Sequence, residues 1–218
     1  MRVAVLGAGG VSLAMAALLF REGHDPAIWS PSGRSTRALA DGAPLVATGA
    51  FAGRFQPRIA TACAEAMAEA ECVIFAVPAY GHRAVMDAAA AHASASQTMI
   101  VSSQYSLSAL YLRALLARRG ISPAIVAWGT TVVMGRPIGT TEVAVLTVRA
   151  RVDVATLPAA RAQAGLAICR ALFGDRFQQR SNLIAIQLSK VKPDSSGARR
   201  PGPHGDLREQ YAAGQFRQ

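Results

Sequence analysis

The sequence predicts an α/β fold built on a doubly wound parallel sheet. Three observations predict it. Short apolar runs rich in β-branched residues, typical of strands buried on both faces, recur along the chain. Alanine- and leucine-rich stretches with high helix propensity alternate with these runs. The first apolar run ends directly in a cluster of glycines that a helical stretch follows at once.

The N-terminal strand, turn and helix are the most informative part of the chain. An apolar run over residues 2–6 precedes a helical stretch over residues 11–21, and three glycines separate them: Gly7, Gly9 and Gly10. Glycines in such a turn allow a tight bend and let a pyrophosphate approach the backbone, while the helix N-terminus supplies N–H donors. The pattern therefore predicts a Rossmann-type dinucleotide-binding domain.

The glycine pattern departs from its usual form at one position. Val11 and Ser12 open the helix, and Ser12 stands where a third glycine would allow close packing of helix on strand. Because serine is small, we expect the site to be retained and assign both residues to it. A glycine-rich turn with no ligand is the alternative.

The second strand, predicted over residues 27–29 after a turn at 24–26, bears on cofactor choice. A site for NAD would place an acidic residue at its end to bind the ribose 2′-hydroxyl. Here Ser30 takes that position, Arg34 and Arg37 follow, and no acidic residue occurs before Asp41. Arginines suit a 2′-phosphate because they form charge-assisted, bidentate hydrogen bonds. We therefore expect NADP rather than NAD, the alternative being arginines that are merely solvated.

The remaining elements continue the alternation of helices and strands. Towards the middle of the chain we predict a short helix, a small hairpin, a helix and a strongly apolar strand, over residues 36–41, 45–60, 63–70 and 72–77. Beyond it we predict a strand, a helix and a strand, over residues 98–102, 107–119 and 125–128. Antiparallel strands around a Pro/Gly turn in residues 129–148 would finish the nucleotide domain.

These elements divide the chain into three parts. Residues 1–157 are predicted as the dinucleotide-binding domain, and residues 158–189 as a helical segment, with a helix over 158–173, leading to a substrate domain. Residues 190–218 are rich in Pro, Gly, Ser and charge without apolar periodicity, so we expect them to be disordered.

Two strand ends at the predicted carboxyl edge supply further candidates. Val77 and Pro78 would contact the nicotinamide ribose, and Tyr80 or His82 would hydrogen-bond cofactor or substrate. A helix-start histidine bonded to local backbone is the alternative for His82. Ser102, with its neighbours in residues 103–104, would offer polar contacts, or only turn and capping bonds.

Composition excludes several classes of function. The chain has 218 residues and a formal net charge of +10, and its basic excess is spread along the sequence without interleaved aromatic residues. That distribution argues against a nucleic-acid surface. The three cysteines lack metal-ligand spacing, and we expect no metal site. No apolar run is long enough to cross a bilayer, so we expect a cytoplasmic protein without membrane contacts.

The sequence resembles the octopine/nopaline (opine) dehydrogenase family, within the wider group that shares its nucleotide domain with glycerol-3-phosphate dehydrogenases. The matching stretches lie at residues 3–9, 23–30, 75–82 and 171–177. The first three are common to many dehydrogenases, whereas residues 171–177, together with 182–183 and 188–189, are more particular to the opine group. The resemblance covers residues 2–189.

This resemblance implies an NAD(P)-dependent oxidoreductase that reduces the imine of an amino acid and a 2-oxo acid. The family continues into an Asn-rich turn, a catalytic histidine and a helical substrate domain. Here Lys190 and Lys192 occupy that turn, and His204 lies in no matching context, so no catalytic residue is assigned. We expect the substrate domain to be largely missing, so that activity of the chain alone is left open.

Two alternatives and one consequence accompany this interpretation. The alternatives are a non-catalytic NAD(P)-binding module or degenerate fragment, and an enzyme of 2-hydroxy compounds like the glycerol-3-phosphate dehydrogenases. The consequence is self-association through an apolar surface that a helical domain would normally cover. We expect that surface on residues 166–188, with Leu166, Ile168, Leu172, Phe173, Leu183, Ile184, Ile186 and Leu188 uncovered.

Overall fold

The computed structural model describes residues 1–105 and 107–188. Its twelve strands are β1 (Arg2–Leu6), β2 (Asp25–Trp29), β3 (Leu45–Gly49), β4 (Gly53–Phe55), β5 (Arg58–Ile59), β6 (Cys72–Phe75), β7 (Thr98–Val101), β8 (Ala124–Trp128), β9 (Val133–Pro137), β10 (Glu142–Val148), β11 (Val152–Leu157) and β12 (Phe177–Gln179). Its seven α-helices are α1 (Gly10–Arg21), α2 (Arg37–Ala40), α3 (Cys63–Met67), α4 (His82–Ala90), α5 (Ser108–Arg118), α6 (Ala162–Phe173) and α7 (Leu183–Leu188). The predicted 190–218 segment lies outside the described residues.

The main sheet has eight strands in the order β12-β11-β8-β7-β6-β1-β2-β5. The six strands from β8 to β5 are mutually parallel, whereas β11 runs antiparallel to β8 and carries β12 beside it. The order reverses between β1 and β6, which is the switch point where doubly wound sheets bind ligands. The predicted fold class is thus confirmed.

A second, four-stranded sheet has the order β4-β3-β10-β9. The antiparallel strands predicted in residues 129–148 are confirmed as β9 and β10. They do not extend the main sheet, because β10 pairs in parallel with β3. Helix α1 therefore packs between the two sheets, contacting β1 and β2 on one side and β9 and β10 on the other. Sandwiched in this way, it is buried along most of its length.

The second strand is longer than the sequence indicated. Residues 24–26 were predicted to form a turn, but Asp25 and Pro26 belong to β2 and pair with β1. Asp25 donates its backbone N–H to the Met1 carbonyl of the β1 side, so the backbone nitrogen of the next residue, Pro26, points to the opposite side, towards β5. On that side β5 pairs with β2 only from Ala27 onward. The missing N–H of Pro26 therefore removes no hydrogen bond between strands.

Most of the apolar side chains of α6 and α7 that the structure describes are covered by the body of the protein, contrary to the expectation of an open apolar surface, and the side chain of Leu188 lies outside that description. Leu166, Leu172, Phe173, Leu183 and Ile186 are buried, whereas Ile184 is 63% exposed. Strands β11 and β12, which were not predicted from the sequence, extend the main sheet and give both helices a surface to pack on. On this surface the Phe173 and Phe177 rings lie 5.6 and 5.2 Å from the Trp128 ring.

All three cysteines are buried and free. Burial raises the pKa of the Cys63 thiol to about 11 and that of Cys169 to about 12. They act as small apolar core residues, in agreement with their lack of ligand spacing.

Candidate functional site

The glycine turn after β1 lies at the switch point of the main sheet. Gly7 has a φ of +134° and donates its N–H to the Trp29 carbonyl at 2.7 Å. A Cβ on Gly7 would lie 2.7 Å from the Ser12 hydroxyl and would also meet the Ala76 carbonyl. Both the dihedral angle and the crowding therefore require glycine here.

Ser12 joins α1 to the end of β6. Its hydroxyl is fully buried and donates to the Ala76 carbonyl at 2.7 Å. Serine thus fills the small space that a third glycine would leave and adds a hydrogen bond between helix and sheet. The side chain has a structural role in this turn.

Gly9 forms the open part of the turn. It is exposed, and a Cβ built on it would meet no atom within 4 Å. Gly9 is the N-cap of α1, which has no side-chain cap and no acidic residue in its first turn. The first N–H groups of a helix have no intrahelical acceptor, and the helix dipole is positive there. This end of α1 is therefore suited to an anion.

Two cavities meet at Gly9, which lines both. The first, of about 450 Å³, is also lined by Gly10, Val11, Ala76, Val77, Pro78, Ser102, Ser103, Tyr105, Thr130, Thr131, Met134, Gly135 and Arg149. The second, of about 600 Å³, is also lined by Ala8, Leu13, Arg34, Ser35, Arg37, Ala38, Asp41, Pro137, Gly139 and Thr140. An elongated ligand could extend from one cavity to the other past the N-terminus of α1.

The second cavity carries charges of both signs. Arg34 and Arg37 are exposed, and neither forms an ion pair with a described carboxylate. Asp41, the first acidic residue after Ser30 in the sequence, lines the same cavity. The short helix α2 turns the backbone back and brings Asp41 beside the two arginines. Only the helical spacing could have signalled this.

The first cavity combines apolar, hydroxyl and cationic groups. Ser102 is only 4% exposed, and its hydroxyl oxygen has no hydrogen-bond partner. Ser103 follows with a φ of +58°, an uncommon value outside glycine that is often found at functional sites. Arg149 is the one charged residue among those that line this cavity.

Residues 3–137 match the family described as ketopantoate reductase PanE/ApbA. The chain belongs to this family. No curated protein sequence matches this PanE/ApbA-family chain.

Solved structures of dehydrogenases share its fold. Octopine dehydrogenase with NADH and pyruvate matches with a TM-score of 0.74 and 16% identity, over 84% of this chain and 51% of that chain. NADP⁺-bound yersinopine dehydrogenase matches at 0.68 and 19%, over 86% and 49%. A PanE/ApbA-family ketopantoate reductase from Ralstonia eutropha JMP134 matches at 0.65 and 17%, over 84% and 57%. The resemblance to opine dehydrogenases is confirmed as one of fold, and the PanE/ApbA-family chain spans about half the length of these proteins.

Eight of the thirteen predicted site residues of this PanE/ApbA-family chain line the two cavities: Gly9, Gly10, Val11, Arg34, Arg37, Val77, Pro78 and Ser102. Five do not: Gly7, Ser12, Ser30, Tyr80 and His82. Gly7 and Ser12 shape the turn from inside. Ser30 follows β2 with its hydroxyl oxygen buried and without a partner. Tyr80 is 90% exposed to solvent, because the turn before α4 carries it away from the first cavity.

His82 bonds to the local backbone at the start of a helix, which was the alternative to a contact with cofactor or substrate. It is the first residue of α4, is buried, and donates its Nε2–H to the Val77 carbonyl at 3.1 Å. Burial lowers the pKa of His82, and the bond to Val77 acts weakly in the opposite sense. The histidine is therefore a neutral support for the Val77–Pro78 turn.

The second sheet contributes lining residues that were not predicted from the sequence. Thr130, Thr131, Met134, Gly135 and Arg149 come from β9, β10 and the segments flanking them. No local pattern signals that this hairpin covers the glycine turn.

Within the described residues no group of three or more His, Cys, Asp or Glu side chains could hold a metal ion. No helix there has the length and apolarity needed to span a membrane.

Proposed function

We propose that this chain binds a nicotinamide dinucleotide across the two cavities, as the cofactor-binding part of an oxidoreductase of 2-oxo acids. One observation carries the proposal: the cavities meet at Gly9, where α1 presents an uncapped N-terminus. That end would hold the pyrophosphate. Volumes of about 450 and 600 Å³ are in the range of small-molecule sites.

Each cavity would hold one half of the cofactor. Arg34 and Arg37 would bind the adenosine end, whereas Val77, Pro78 and Ser102 would flank the nicotinamide ribose. When bound, the reduced nicotinamide supplies a hydride. The protein would hold the nicotinamide ring beside the substrate and orient its reactive carbon towards the atom that accepts the hydride.

We propose NADP as the preferred cofactor. Two guanidinium groups and one carboxylate line the second cavity, which leaves an excess of positive charge to meet a 2′-phosphate. Asp41 supports the competing assignment, because a carboxylate accepts hydrogen bonds from an unmodified ribose, as NAD requires.

For the reaction we propose reductive condensation of an amino acid with a 2-oxo acid. The opine-like stretch at residues 171–177 and the shared fold with octopine dehydrogenase support it. The match to the ketopantoate reductase family favours a second candidate, direct reduction of a 2-oxo acid. A binding module without chemistry of its own is the remaining alternative.

Cofactor binding is tested at Gly9. In Gly9→Ala the new methyl group meets no protein atom, but it would occupy the path of the pyrophosphate. We expect calorimetry to show an affinity for NADPH at least about tenfold weaker, with folding almost unaffected. Gly81→Ala is the matched control: Gly81 is the N-cap of α4, has room for a methyl group and lines neither cavity. Absence of NADPH and NADH binding by the unmodified chain would refute the proposal.

The reaction is tested by NADPH oxidation with pyruvate, with and without a panel of amino acids. Oxidation that requires the amino acid would support the opine-type reaction, and oxidation with the 2-oxo acid alone would support the reductase type. Tight cofactor binding without oxidation in either case would assign the chain the binding role alone.

A further inference from the structure

We propose that Arg149 binds the carboxylate of a 2-oxo acid substrate in the first cavity. The inference rests on the proposed function and specifies how that site would recognise its substrate. It concerns a residue that the glycine pattern does not predict.

The charge distribution in the first cavity supports an anionic ligand. Arg149 is its one charged lining residue, and no acidic side chain lines it. No described carboxylate forms an ion pair with Arg149. A guanidinium beside a partly enclosed space, without a counter-ion, is most readily satisfied by an anion from solution.

The guanidinium is held in place but is not saturated. Its Nη2 donates to the Met134 sulfur at 3.1 Å, a weak acceptor, and its Nε is buried without a partner. The backbone of Arg149 is fixed at both polar groups: its N–H donates to the Val132 carbonyl, and its own carbonyl accepts a bond from Arg176. Donors remain available in a geometry that matches a carboxylate.

The position of Arg149 favours the substrate over the pyrophosphate. Gly135 of β9 packs against Gly10 at the start of α1, whereas the Arg149 N–H bonds to the carbonyl of Val132, the residue just before β9. Three residues of extended chain span about 10 Å. The Arg149 backbone is therefore anchored next to Thr130 and Thr131, and its guanidinium reaches Met134.

Polar groups nearby are available to the rest of a 2-oxo acid. The Ser102 hydroxyl lines the same cavity, is almost fully buried and lacks a partner. Thr131 donates its hydroxyl to the Val133 carbonyl at 2.9 Å, which leaves its oxygen lone pairs as acceptors. A buried hydroxyl without a partner is costly unless a ligand satisfies it.

The test measures binding of pyruvate and of pyruvamide, its uncharged amide, to the NADPH-saturated chain by calorimetry. We expect pyruvate to bind about 10- to 100-fold more tightly than pyruvamide, as a charge-assisted bidentate contact would give. In Arg149→Met, which keeps the aliphatic stem, this preference should vanish. Arg149→Lys should restore part of it, and Arg118→Ala, a charge removed from the opposite edge of the main sheet, should leave it intact.

Several outcomes would overturn the inference. They are an unchanged preference in Arg149→Met, no pyruvate binding by the NADPH-saturated chain, and a loss of NADPH affinity in Arg149→Met with pyruvate discrimination retained. The last would place the guanidinium on the cofactor phosphates. Failure of the unmodified chain to bind NADPH is a separate result, which would refute the proposed function itself.

Discussion

Arg34, Arg37 and Asp41 lie within a stretch of about eight residues and line one cavity, yet they favour different cofactors. Guanidinium groups stabilise a 2′-phosphate, whereas a carboxylate repels it and accepts bonds from a free 2′-hydroxyl. Cofactor preference is therefore a balance between side chains only a few residues apart.

The first prediction concerns this balance. Arg34→Ala should weaken NADPH binding by about one to two orders of magnitude, because it removes a charge-assisted contact worth about 1.5–3 kcal/mol, and should leave NADH affinity nearly unchanged. Asp41→Ala should change NADPH affinity in the opposite direction and raise it slightly. Calorimetric titration of both variants with both cofactors measures this. Equal affinities of the unmodified chain for the two cofactors would contradict the assignment.

The second prediction concerns His82, whose pKa burial lowers. The unfolded chain then binds a proton at a higher pH than the folded chain, so stability rises with pH across this interval. The contribution of neutral His82 to the free energy of unfolding is fully present above about pH 6.5, the ordinary histidine pKa. It is lost as the pH falls towards the lowered pKa of the folded state.

Urea unfolding at pH 5 and 7.5 tests this effect. His82→Gln keeps an N–H donor for the Val77 carbonyl but does not titrate, so it should lose less stability on acidification than the unmodified chain. His92→Gln, the same change at an exposed histidine, is the control and should follow the unmodified chain. An identical acid response in all three proteins would exclude the His82 contribution.

At the scale of elements, the contact between β9 and α1 determines the shape of the cleft. A Cβ on Gly10 would meet the Gly135 carbonyl, and one on Gly135 would meet the Gly10 carbonyl and the Ala14 methyl group. Two glycines facing each other thus allow the strand to cross directly over the first turn of the helix. The hairpin is close enough to contribute to both cavities.

The third prediction follows from this contact. Gly135→Ala should lower the free energy of unfolding by about 1–3 kcal/mol, because the clash is with backbone atoms that cannot rotate away. It should also weaken NADPH binding by moving β9 off the helix. Gly139→Ala, in the turn of the same hairpin where a methyl group makes only ordinary contacts, should cost much less in urea unfolding. Similar losses in both variants would argue against the close crossing.

The elements near the glycine turn were predictable because their signals are local. Alternating apolar runs identified β1, β6, β7 and β8, and the glycines located the start of α1. The pairing of β10 with β3 involves residues about a hundred positions apart and leaves no periodicity in either segment. For the same reason Arg149 was missed: it reaches the cleft through the path of the chain, which spacing along the sequence does not show.

At the scale of the whole molecule, the apolar surface differs from the one the sequence suggested. The large apolar side chains that remain exposed in the described residues are Tyr80, Tyr105, Leu107, Leu110, Met134, Ile138, Leu146 and Ile184. Three of them, Met134, Ile138 and Leu146, belong to the β9–β10 hairpin. We therefore propose that the chain self-associates through the second sheet.

The fourth prediction tests that surface. Leu146→Lys should reduce concentration-dependent association in sedimentation velocity, because it places a charge in an exposed apolar area. Ile184→Lys, a comparable change at an exposed site on α7, should not. A chain that sediments as a monomer at every concentration, or that responds only to Ile184→Lys, would contradict the proposal.

Because the two cavities have one lining residue in common, the proposed cofactor would behave as a bivalent ligand. Its adenosine and nicotinamide halves would each bind weakly alone, and the pyrophosphate would link them with an effective concentration in the millimolar range for a short tether. An adenosine bisphosphate and a nicotinamide mononucleotide could then occupy the protein together without competing. Substitutions around Arg34 would change which cofactor is chosen and leave the nicotinamide end undisturbed, so evolution could change cofactor preference and chemistry independently.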